Sequence, residues 1–356
     1  MCSATLAHVI ENAPLAPLTT LGVGGTARWL YPVQSAEQVH RALEFARERG
    51  APTWVLAGGS NCIIADEGLP GVVLQPTVID GSSGIHELTS GQVRVAAGVS
   101  WGRLVAWTVE RGWQGLEALA GIPGQVGAAP IQNIGAYGQE VADVIEWVEG
   151  YQVAEGGPRS WSRDHCQFGY RDSRFKRLAG EVVVTAVVLR LHPGAPGTVA
   201  YDQLAKALAE QGIRQPTLRQ ISDTVVQLRR SKGMVVDPAD ADSRSCGSFF
   251  TNPLVDAATA EVALRRLSRT GETPPAWPQS DGRIKLSAAW LIERSGWQRG
   301  AGRGRVGLSS KHSLAIVNRG GATAREVLAF ASLIADSVAE CSGVRLEREP
   351  VLLGAA

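Results

Sequence analysis

The sequence predicts an α+β protein of two domains, and three observations support this class. Residues 26–61 read as a strand, helix, strand unit that ends in a glycine turn. Residues 71–192 combine strand-like runs with a helix and glycine-rich connections, and a region beginning around Gly233 combines short strands with a long helix. Strands and helices that each carry one apolar face pack in layers around a core.

The first unit follows from the residue types of its elements. Residues 26–33 alternate and are rich in strand formers, and Ser35 can cap a helix that runs to about Arg49. The apolar residues of that helix fall at helical spacing: Val39, Ala42, Leu43 and Ala46. Residues 52–61, PTWVLAGGSN, predict a buried strand that runs into a turn.

Similar patterns predict the remaining elements. Further strands are expected at residues 71–76, 92–98, 144–153, 181–191, 313–318 and 344–354. Further helices are expected after a cap at Ser100, at residues 197–212 and 217–233, from Lys285 and from Ala324. Capping boxes are predicted for Thr217 with Gln220 and for Thr323 with Glu326.

Composition restricts the class of partner. Hydrophobic residues make up 44% of the 356-residue chain and charged residues 19%, which is typical of a globular protein. Two helices ending in Arg229, Arg230 and Lys232 resemble a helix-turn-helix. The net charge of +1 nevertheless offers no general basic surface for nucleic acid. A small molecule is the expected partner, with any anionic group held by a few local cations.

The cysteines and the N-terminus indicate the compartment. Five cysteines, without a C-x-x-C pair, argue against a disulfide framework and against a zinc site: Cys2, Cys62, Cys166, Cys246 and Cys341. The N-terminal residues lack a basic region and a long apolar run, and no stretch reaches the roughly 18 apolar residues of a membrane span. We therefore expect a cytoplasmic protein without a metal.

The stretch GIPGQVGAAPIQNIGAYG, residues 121–138, is the strongest candidate for a ligand loop. It holds five glycines and two prolines, and no charged side chain occurs between Glu117 and Glu140. Glycine allows main chain to approach a flat ligand, and proline fixes turns. A small-residue loop packed under a sheet would have the same composition. Residues 57–61, AGGSN, read either as a tight turn or as a nest of backbone N–H groups for a diphosphate.

These two segments occur in one order with four others: FGYRDSRFK (168–176), CGSFFTNP (246–253), KLSAAWLIE (285–293) and LEREP (346–350). The ordered set resembles the UDP-N-acetylenolpyruvoylglucosamine reductase family over roughly residues 18–354. Six motifs in family order are specific, whereas each alone is weak. The segment GVGGTAR at Gly22 does not satisfy the G-x-G-x-x-G dinucleotide fingerprint and follows no predicted strand, and the sequence has no G-x-x-x-x-G-K-[ST] phosphate loop.

The resemblance implies a fold, a reaction and cofactors. The implied fold is a vanillyl-alcohol-oxidase-type FAD-binding domain (18–195), a helical, substrate-covering connector (196–232), a smaller α+β substrate domain (233–343) and a C-terminal strand (344–356). The implied reaction is the NADPH-dependent reduction of UDP-N-acetylglucosamine enolpyruvate to UDP-N-acetylmuramate. FAD would be bound non-covalently, since neither glycine loop contains histidine. A monomer is expected.

The resemblance also assigns residues. Those implied to bind FAD are Ala57, Gly58, Gly59, Ser60, Asn61, Ile122, Pro123, Gly124, Gly127, Ala128, Asn133, Gly135, Ala136 and Tyr137. Those implied to bind substrate are Tyr170, Tyr201, Lys232, Asn252 and His312. By residue type alone, Tyr201 fits a half-buried helix aromatic equally well, and Lys311 and His312 fit a surface turn.

Three residues are assigned to catalysis. The resemblance implies that Arg171 binds the enolpyruvyl carboxylate, that Ser248 donates a proton to the substrate carbon, and that Glu349 is the catalytic glutamate that stabilises the aci-carboxylate intermediate with Arg171. Read alone, Arg171 beside Asp172 fits a solvated ion pair, and Ser248 fits a serine that bonds its own loop. Glu347 is the second choice for the glutamate; two residues apart on a predicted strand, Glu347 and Glu349 would share one face.

Two other functions fit the same residues. A related FAD oxidase would give its electrons to oxygen and need no NADPH. A non-catalytic flavin or sugar-nucleotide binding protein would keep the fold without the chemistry. Retention of an arginine, a serine and a glutamate in the three catalytic motifs argues against the second alternative.

Overall fold

The computed structural model describes residues 9–78 and 81–354, and within them the chain is a mixture of strands and helices. The strands are β1 (Ile10–Pro14), β2 (Thr26–Val33), β3 (Thr53–Val55), β4 (Cys62–Ile64), β5 (Leu69–Pro76), β6 (Ile85–Thr89), β7 (Gln92–Ala96), β8 (Trp113–Gln114), β9 (Gly135–Ala136), β10 (Gln139–Glu140), β11 (Ile145–Gln152), β12 (Gly157–Ser162), β13 (Val182–Arg190), β14 (His192–Pro193), β15 (Leu254–Val255), β16 (Ala276–Pro278), β17 (Ile284–Leu286), β18 (Gly302–Arg303), β19 (Val306–Leu308), β20 (Ile316–Asn318) and β21 (Val351–Leu353). The helices are α1 (Ala36–Glu48), α2 (Trp101–Glu110), α3 (Arg163–Cys166), α4 (Arg174–Arg177), α5 (Asp202–Glu210), α6 (Leu218–Ser231), α7 (Ala257–Leu267), α8 (Ala288–Arg294) and α9 (Ala324–Ser342). The predicted α+β class is confirmed.

The chain divides into two compact units. Within the described residues, the first consists of 9–14, Thr26–Gly59 and Leu69–Arg230, and the second of Leu15–Gly25, Ser60–Gly68 and 231–354. The chain therefore enters the second unit three times. Along the part that the structure describes, no helix has the length and apolar character needed to cross a membrane.

The first unit contains two sheets. One has the order β1-β2-β5-β3, in which β5 runs parallel to both β2 and β3. The other, with the order β12-β11-β13-β7-β6, is antiparallel throughout. Helix α1 begins as predicted, because the Ser35 side chain accepts a hydrogen bond from the Gln38 backbone N–H. Its buried face, including Val39 and Ala42, packs with residues of both sheets.

The second unit is built around helix α9. Its capping box is confirmed: the side chains of Thr323 and Glu326 each accept the other's backbone N–H. Asp66 adds to that cap, since its carboxylate accepts the N–H groups of Ala324 (2.6 Å) and Arg325 (3.0 Å). Strand β4 pairs in parallel with β21, so the segment that follows the AGGSN turn is tied to the C-terminal end of the chain.

Three local expectations are wrong. Ser100 precedes α2, but its side chain makes no capping hydrogen bond. Helix α8 begins at Ala288 rather than at Lys285, because residues 284–286 pair as a strand with β15 and β16. The last strand is confined to β21, and Arg348 forms only an isolated bridge with Phe250, so Glu347 and Glu349 are not on a regular strand.

A buried glutamate closes the base of the 121–138 loop. Glu117 is fully buried; its carboxylate accepts the Gly115 backbone N–H (2.8 Å) and the Gln139 side-chain amide (3.0 Å). The Gln139 carbonyl in turn accepts the Ala118 N–H at 2.9 Å. Because Glu117 precedes the loop and Gln139 follows it, this pair joins the two ends of the loop inside the core.

We expect Glu117→Leu to destabilise the protein. The substitution leaves the buried Gly115 N–H and the Gln139 side-chain amide without acceptors, which costs about 1–3 kcal/mol for each group, so the free energy of unfolding should fall by about 2–6 kcal/mol. Urea denaturation measures this difference. Glu181→Leu, at an exposed position, is the control and should change stability by no more than about 0.5 kcal/mol. Equal effects of the two substitutions would show that the hydrogen bonds of Glu117 do not stabilise the base of the loop.

Candidate functional site

Within the first unit, the start of the AGGSN turn lies against the 121–138 loop. A Cβ atom added to Gly58 would lie 2.6 Å from the Gly124 Cα, which is closer than real Cβ contacts. Gly59 and Gly124 have φ values of +58° and +115°, in the region that favours glycine. The glycines at these positions are thus required by backbone contact and by conformation.

The segment after β7 holds the start of the 121–138 loop. The backbone N–H groups of Val126 and Gly127 donate to Val99 O and Ala97 O, each at 2.9 Å, and Trp101 N–H donates to Gly124 O at 3.0 Å. A Cβ on Gly127 would lie 2.6 Å from the Ala97 Cβ. The loop therefore runs beside residues 97–101 with almost no space for side chains between them.

Three side-chain hydrogen bonds join the same loop to the FGYRDS segment. Ser173 Oγ donates to Ile131 O at 2.6 Å, and Asn133 Nδ2 donates to Gly169 O at 3.1 Å. Arg171 Nη2 donates to Gly135 O at 2.8 Å. The structure thus brings Arg171 to the end of the loop that contains Gly135.

Arg171 is held in an unusual conformation. Its φ is +53°, in the left-handed region, and Lys176 Nζ donates to its carbonyl oxygen at 2.7 Å. Residues 169 and 172 exchange backbone hydrogen bonds around it. Left-handed backbone at a residue other than glycine costs of order 1–3 kcal/mol and is found preferentially at functional sites.

Asn133, predicted to bind the cofactor, is engaged within the protein. It is 1% exposed; Nδ2 also donates to Glu140 Oε2 at 2.7 Å, and Oδ1 accepts the Ala142 N–H at 3.1 Å. Its side chain therefore shapes the loop, and a contact from Asn133 to a ligand would come from its backbone.

Tyr137, Tyr201 and Arg229 form a cluster beside Arg171. The two tyrosine rings meet edge to face, with centroids 5.5 Å apart. Burial raises the pKa of Tyr137, and Arg229 opposes that shift. Burial likewise lowers the pKa of Arg229, with Tyr137 raising it and Arg171 lowering it further. Tyr201 itself precedes α5 and is 47% exposed, so it is not the half-buried helix residue of the alternative interpretation.

Arg229 is a site residue that sequence reasoning missed. In the sequence, Arg229 is notable only as part of the basic end of a helix that resembles a helix-turn-helix, whereas the structure buries Ile221 and Val225 on that helix, α6. Arg229 follows Val225 by four positions and therefore lies on the same face. The spacing of Arg229 from the apolar residues of α6 was the feature of the sequence that could have predicted its burial.

In the second unit, the structure brings together Asn61, Ser248 and Glu349. The Glu349 backbone N–H donates to Phe249 O at 2.9 Å, and Phe249 directly follows Ser248 in the chain. This hydrogen bond holds the backbone of Glu349 beside the Ser248 loop. Asn61 Nδ2 donates to Glu349 O at 3.4 Å, and Val351 N–H donates to Asn61 O at 3.0 Å. Ser60 belongs to the same unit, whereas Arg171 belongs to the first.

The two candidate glutamates differ in their exposure to solvent. Glu347 is exposed and Glu349 is half-buried, although they are only two residues apart. Thr251 N–H donates to Glu347 O at 3.1 Å, so this irregular segment is anchored on both sides of Arg348. The environment of Glu349, beside the Ser248 loop, favours it over Glu347.

His312 lies near Lys232 in the second unit. Its Nδ1 accepts the Leu314 N–H at 3.0 Å, which leaves the ring proton of the neutral form on Nε2. Burial, followed by the charges of Lys232 and Arg299, lowers the pKa of His312 to about 4. Lys311 is instead paired with Asp240 at 2.8 Å. Asn252 Oδ1 accepts the Ala288 N–H at 2.9 Å, at the start of α8.

The cysteines near the proposed ligand residues are buried, and burial disfavours their thiolate forms. Burial raises the pKa of Cys62 to about 12 and raises that of Cys246 well above its ordinary value. Thiols with raised pKa values are poor nucleophiles. No group of three or more metal-binding side chains occurs among residues 9–78 and 81–354.

The first unit also has features that fit the predicted FAD. Close-packed, uncharged main chain at Gly58, Gly59 and Gly124 suits a diphosphate held by backbone N–H groups. Nearby, the buried atoms Thr77 Oγ1 and Gln125 Oε1 have no hydrogen-bond partner within the described part of the chain. A cavity of about 460 Å³ lies beside the start of α1 and the antiparallel sheet. The predicted cofactor residues of this unit are Ala57, Gly58, Gly59, Ile122, Pro123, Gly124, Gly127, Ala128, Asn133, Gly135, Ala136 and Tyr137.

Two family models match separate parts of the chain. The model described as FAD binding domain matches residues 29–157. The model described as UDP-N-acetylenolpyruvoylglucosamine reductase, C-terminal domain, matches residues 237–353.

Similar proteins cover nearly the whole chain. Proteins named UDP-N-acetylenolpyruvoylglucosamine reductase from Thermobifida fusca and Streptomyces avermitilis are each 44% identical; the matches cover 97% and 99% of this chain and 98% and 97% of those proteins. A crystal structure of UDP-N-acetylenolpyruvylglucosamine reductase from Thermus caldophilus is 27% identical, with a TM-score of 0.66, and the match covers 98% of this chain and 99% of that one.

We expect Gly58→Ala to reduce flavin binding. The new Cβ would meet the backbone of Gly124, which cannot rotate away as a side chain could, so one of the two loops must move. FAD affinity should fall at least about tenfold, or about 1.4 kcal/mol, as measured by flavin fluorescence. Gly157→Ala is the control, because a Cβ there has open space. Unchanged affinity for Gly58→Ala would disprove the role of this contact.

The lowered pKa of His312 predicts a pH effect on stability. Between its ordinary value of 6.5 and about 4, the unfolded chain binds a proton that the folded protein does not, so stability falls as the pH decreases through this range. His312→Gln should therefore lessen the loss of unfolding free energy between these pH values. Denaturation at several pH values tests this, with the exposed residue in His86→Gln as control. Parallel curves for parent and His312→Gln would rule it out.

Proposed function

The chain belongs to the UDP-N-acetylenolpyruvoylglucosamine reductase family, and on that basis we propose how its residues share the work of the reaction. It is an FAD-dependent oxidoreductase that uses NADPH to reduce UDP-N-acetylglucosamine enolpyruvate to UDP-N-acetylmuramate in peptidoglycan synthesis. With nucleotide-linked small molecules as reactants, we propose a cytoplasmic, monomeric enzyme.

The chemistry that FAD supplies when bound is the two-electron exchange between NADPH and the enolpyruvyl double bond. The protein must hold the substrate carboxylate as charge develops on it, and it must protonate the carbon next to that carboxylate. The protein must also bind the flavin diphosphate, although its glycine loops contain no cationic side chain. We assign that last task to the backbone of residues 57–61 and 122–128.

Arg171 is the proposed carboxylate-binding residue. A guanidinium binds both oxygens of a carboxylate in one plane, and this geometry stabilises the additional negative charge of the transition state. The hydrogen bond from Nη2 to Gly135 O orients the side chain, and Lys176 supports the backbone behind it. Tyr170, whose ring centroid lies 5.4 Å from the Arg171 Cζ atom, is proposed as a neighbouring substrate contact.

Ser248 and Glu349 are the proposed acid groups. The observation that carries this assignment is the hydrogen bond between Glu349 N–H and Phe249 O, which holds the two motifs together. Ser248 would donate its hydroxyl proton to the substrate carbon and regain a proton from solvent. Glu349 would act as an acid toward the developing carboxylate dianion.

The sugar nucleotide is assigned to a separate group of side chains. Lys232 supplies a cation for its diphosphate, and the same charge contributes to the lowered pKa of His312. Neutral His312 can donate through Nε2 at physiological pH. Asn252 and Tyr201 complete the proposed substrate contacts.

The experiment that tests this function follows the flavin absorbance of the purified protein without oxygen. NADPH should bleach the absorbance band, and UDP-N-acetylglucosamine enolpyruvate should restore it. Bleaching without recovery would mean that the oxidising substrate is different, and rapid oxygen consumption without NADPH would indicate an oxidase. A protein that cannot be loaded with FAD would overturn the proposal.

Ser248→Ala tests the proposed proton donor in the same assay. Loss of a general acid typically slows the reaction by about 10²–10⁴-fold, so the recovery of absorbance should slow by that factor, whereas bleaching by NADPH should be unchanged. The exposed Ser280→Ala variant is the control. Recovery at the parental rate in Ser248→Ala would exclude Ser248 as the donor.

A further inference from the structure

Two buried oxygen atoms in the first unit need hydrogen-bond partners. Thr77 Oγ1 and Gln125 Oε1 have none among the residues that the structure describes. A buried polar atom without a partner is unfavourable, and such atoms are rare in native proteins. Neither residue belongs to the set that the resemblance assigns to the cofactor.

The two residues lie at one corner of the unit. Gln125 Nε2 donates to the carbonyl oxygen of Pro76, the residue before Thr77, at 3.2 Å. Gln125 also follows Gly124 directly, and Gly124 touches Gly58 in the turn proposed to hold the FAD diphosphate. A bound dinucleotide at that turn would therefore pass near both oxygen atoms.

The position of Arg171 indicates which half of FAD reaches this corner. Residues 124–127 of the loop lie against Gly58 and Ala97, whereas Gly135, near the other end, accepts a hydrogen bond from Arg171. Because the reacting half of the cofactor must approach Arg171, the other half is left to the end of the loop that contains Gly124 and Gln125. Gln125 is hydrogen-bonded to the residue before Thr77. A small cavity lined by Thr77 and Gly98 shares Gln34, Ser35 and Thr185 with the cavity of about 460 Å³.

We propose that Thr77 and Gln125 bind the adenosine half of FAD, an inference that rests on the proposed function. Adenosine carries ribose hydroxyls and an exocyclic amine, and these are the donor groups that the Gln125 carbonyl oxygen requires. The Thr77 hydroxyl can either donate or accept. These contacts add recognition of the nucleoside to the backbone contacts made by the glycine loops.

The test compares the affinities of the apoprotein for FAD and FMN, since FMN lacks the adenosine half. Thr77→Val removes the hydroxyl at constant shape, and Gln125→Met removes the amide. Each variant should bind FAD about tenfold more weakly, as expected for loss of one hydrogen bond, and should bind FMN as the parent does. Fluorescence titration measures both constants.

Two controls separate binding from structure. Thr77→Ser keeps the hydroxyl and should bind FAD as the parent does. Ser295 Oγ is another buried atom without a described partner, in the second unit, and Ser295→Ala should leave FAD affinity unchanged. The melting temperature of each apoprotein shows whether it is folded. If Gln125→Met does not fold, the FAD and FMN affinities of Thr77→Val test the proposal.

The outcomes that overturn the inference are distinct from failure of the proposed function. Equal weakening of FAD and FMN would place the contact on the flavin half or make it structural. Parental FAD affinity in Thr77→Val and Gln125→Met would show that the adenosine does not use these atoms. A parent protein that binds no FAD would instead contradict the proposed function itself.

Discussion

The backbone of residues 121–138 must adopt one conformation without help from charged side chains, and much of the first unit serves that constraint. Glu117 and Gln139 join the two ends of the loop in the core. Residues 97–101 hold its beginning by backbone hydrogen bonds, and Ser173 holds its middle through Ile131 O. A loop fixed in this way can present main-chain groups to a ligand without paying the entropy of ordering when the ligand arrives.

The positive charges of the candidate site are supplied from outside that loop. Arg171 comes from the segment between β12 and β13, and Arg229 comes from α6, where burial lowers its pKa. In the second unit, Lys232 contributes to lowering the pKa of His312 to about 4, so His312 is neutral near pH 7. The candidate site thus takes its positive charge from side chains on separate segments of the chain.

The sequence predicted the elements that depend on local rules. Helix α1 and the capping boxes at Thr217 and Thr323 need only neighbouring residues, and the structure confirms them. Strand β2, which its alternating residues predicted, is also confirmed, and it pairs with β1 and β5. The prediction of a strand around Glu349 was wrong, because this segment makes isolated hydrogen bonds to the Ser248 loop and to Asn61 and does not pair with a neighbouring strand.

Side-chain partners were less accessible to sequence reasoning than the elements. Candidate residues could be named from motifs, but the hydrogen bonds that occupy Asn133 and the burial of Arg229 depend on segments far along the chain. At Arg171, φ is +53°, so the fold would favour glycine or asparagine there, whereas the proposed chemistry needs a guanidinium. Selection for a more stable protein and selection for a faster enzyme would therefore favour different residues at this position.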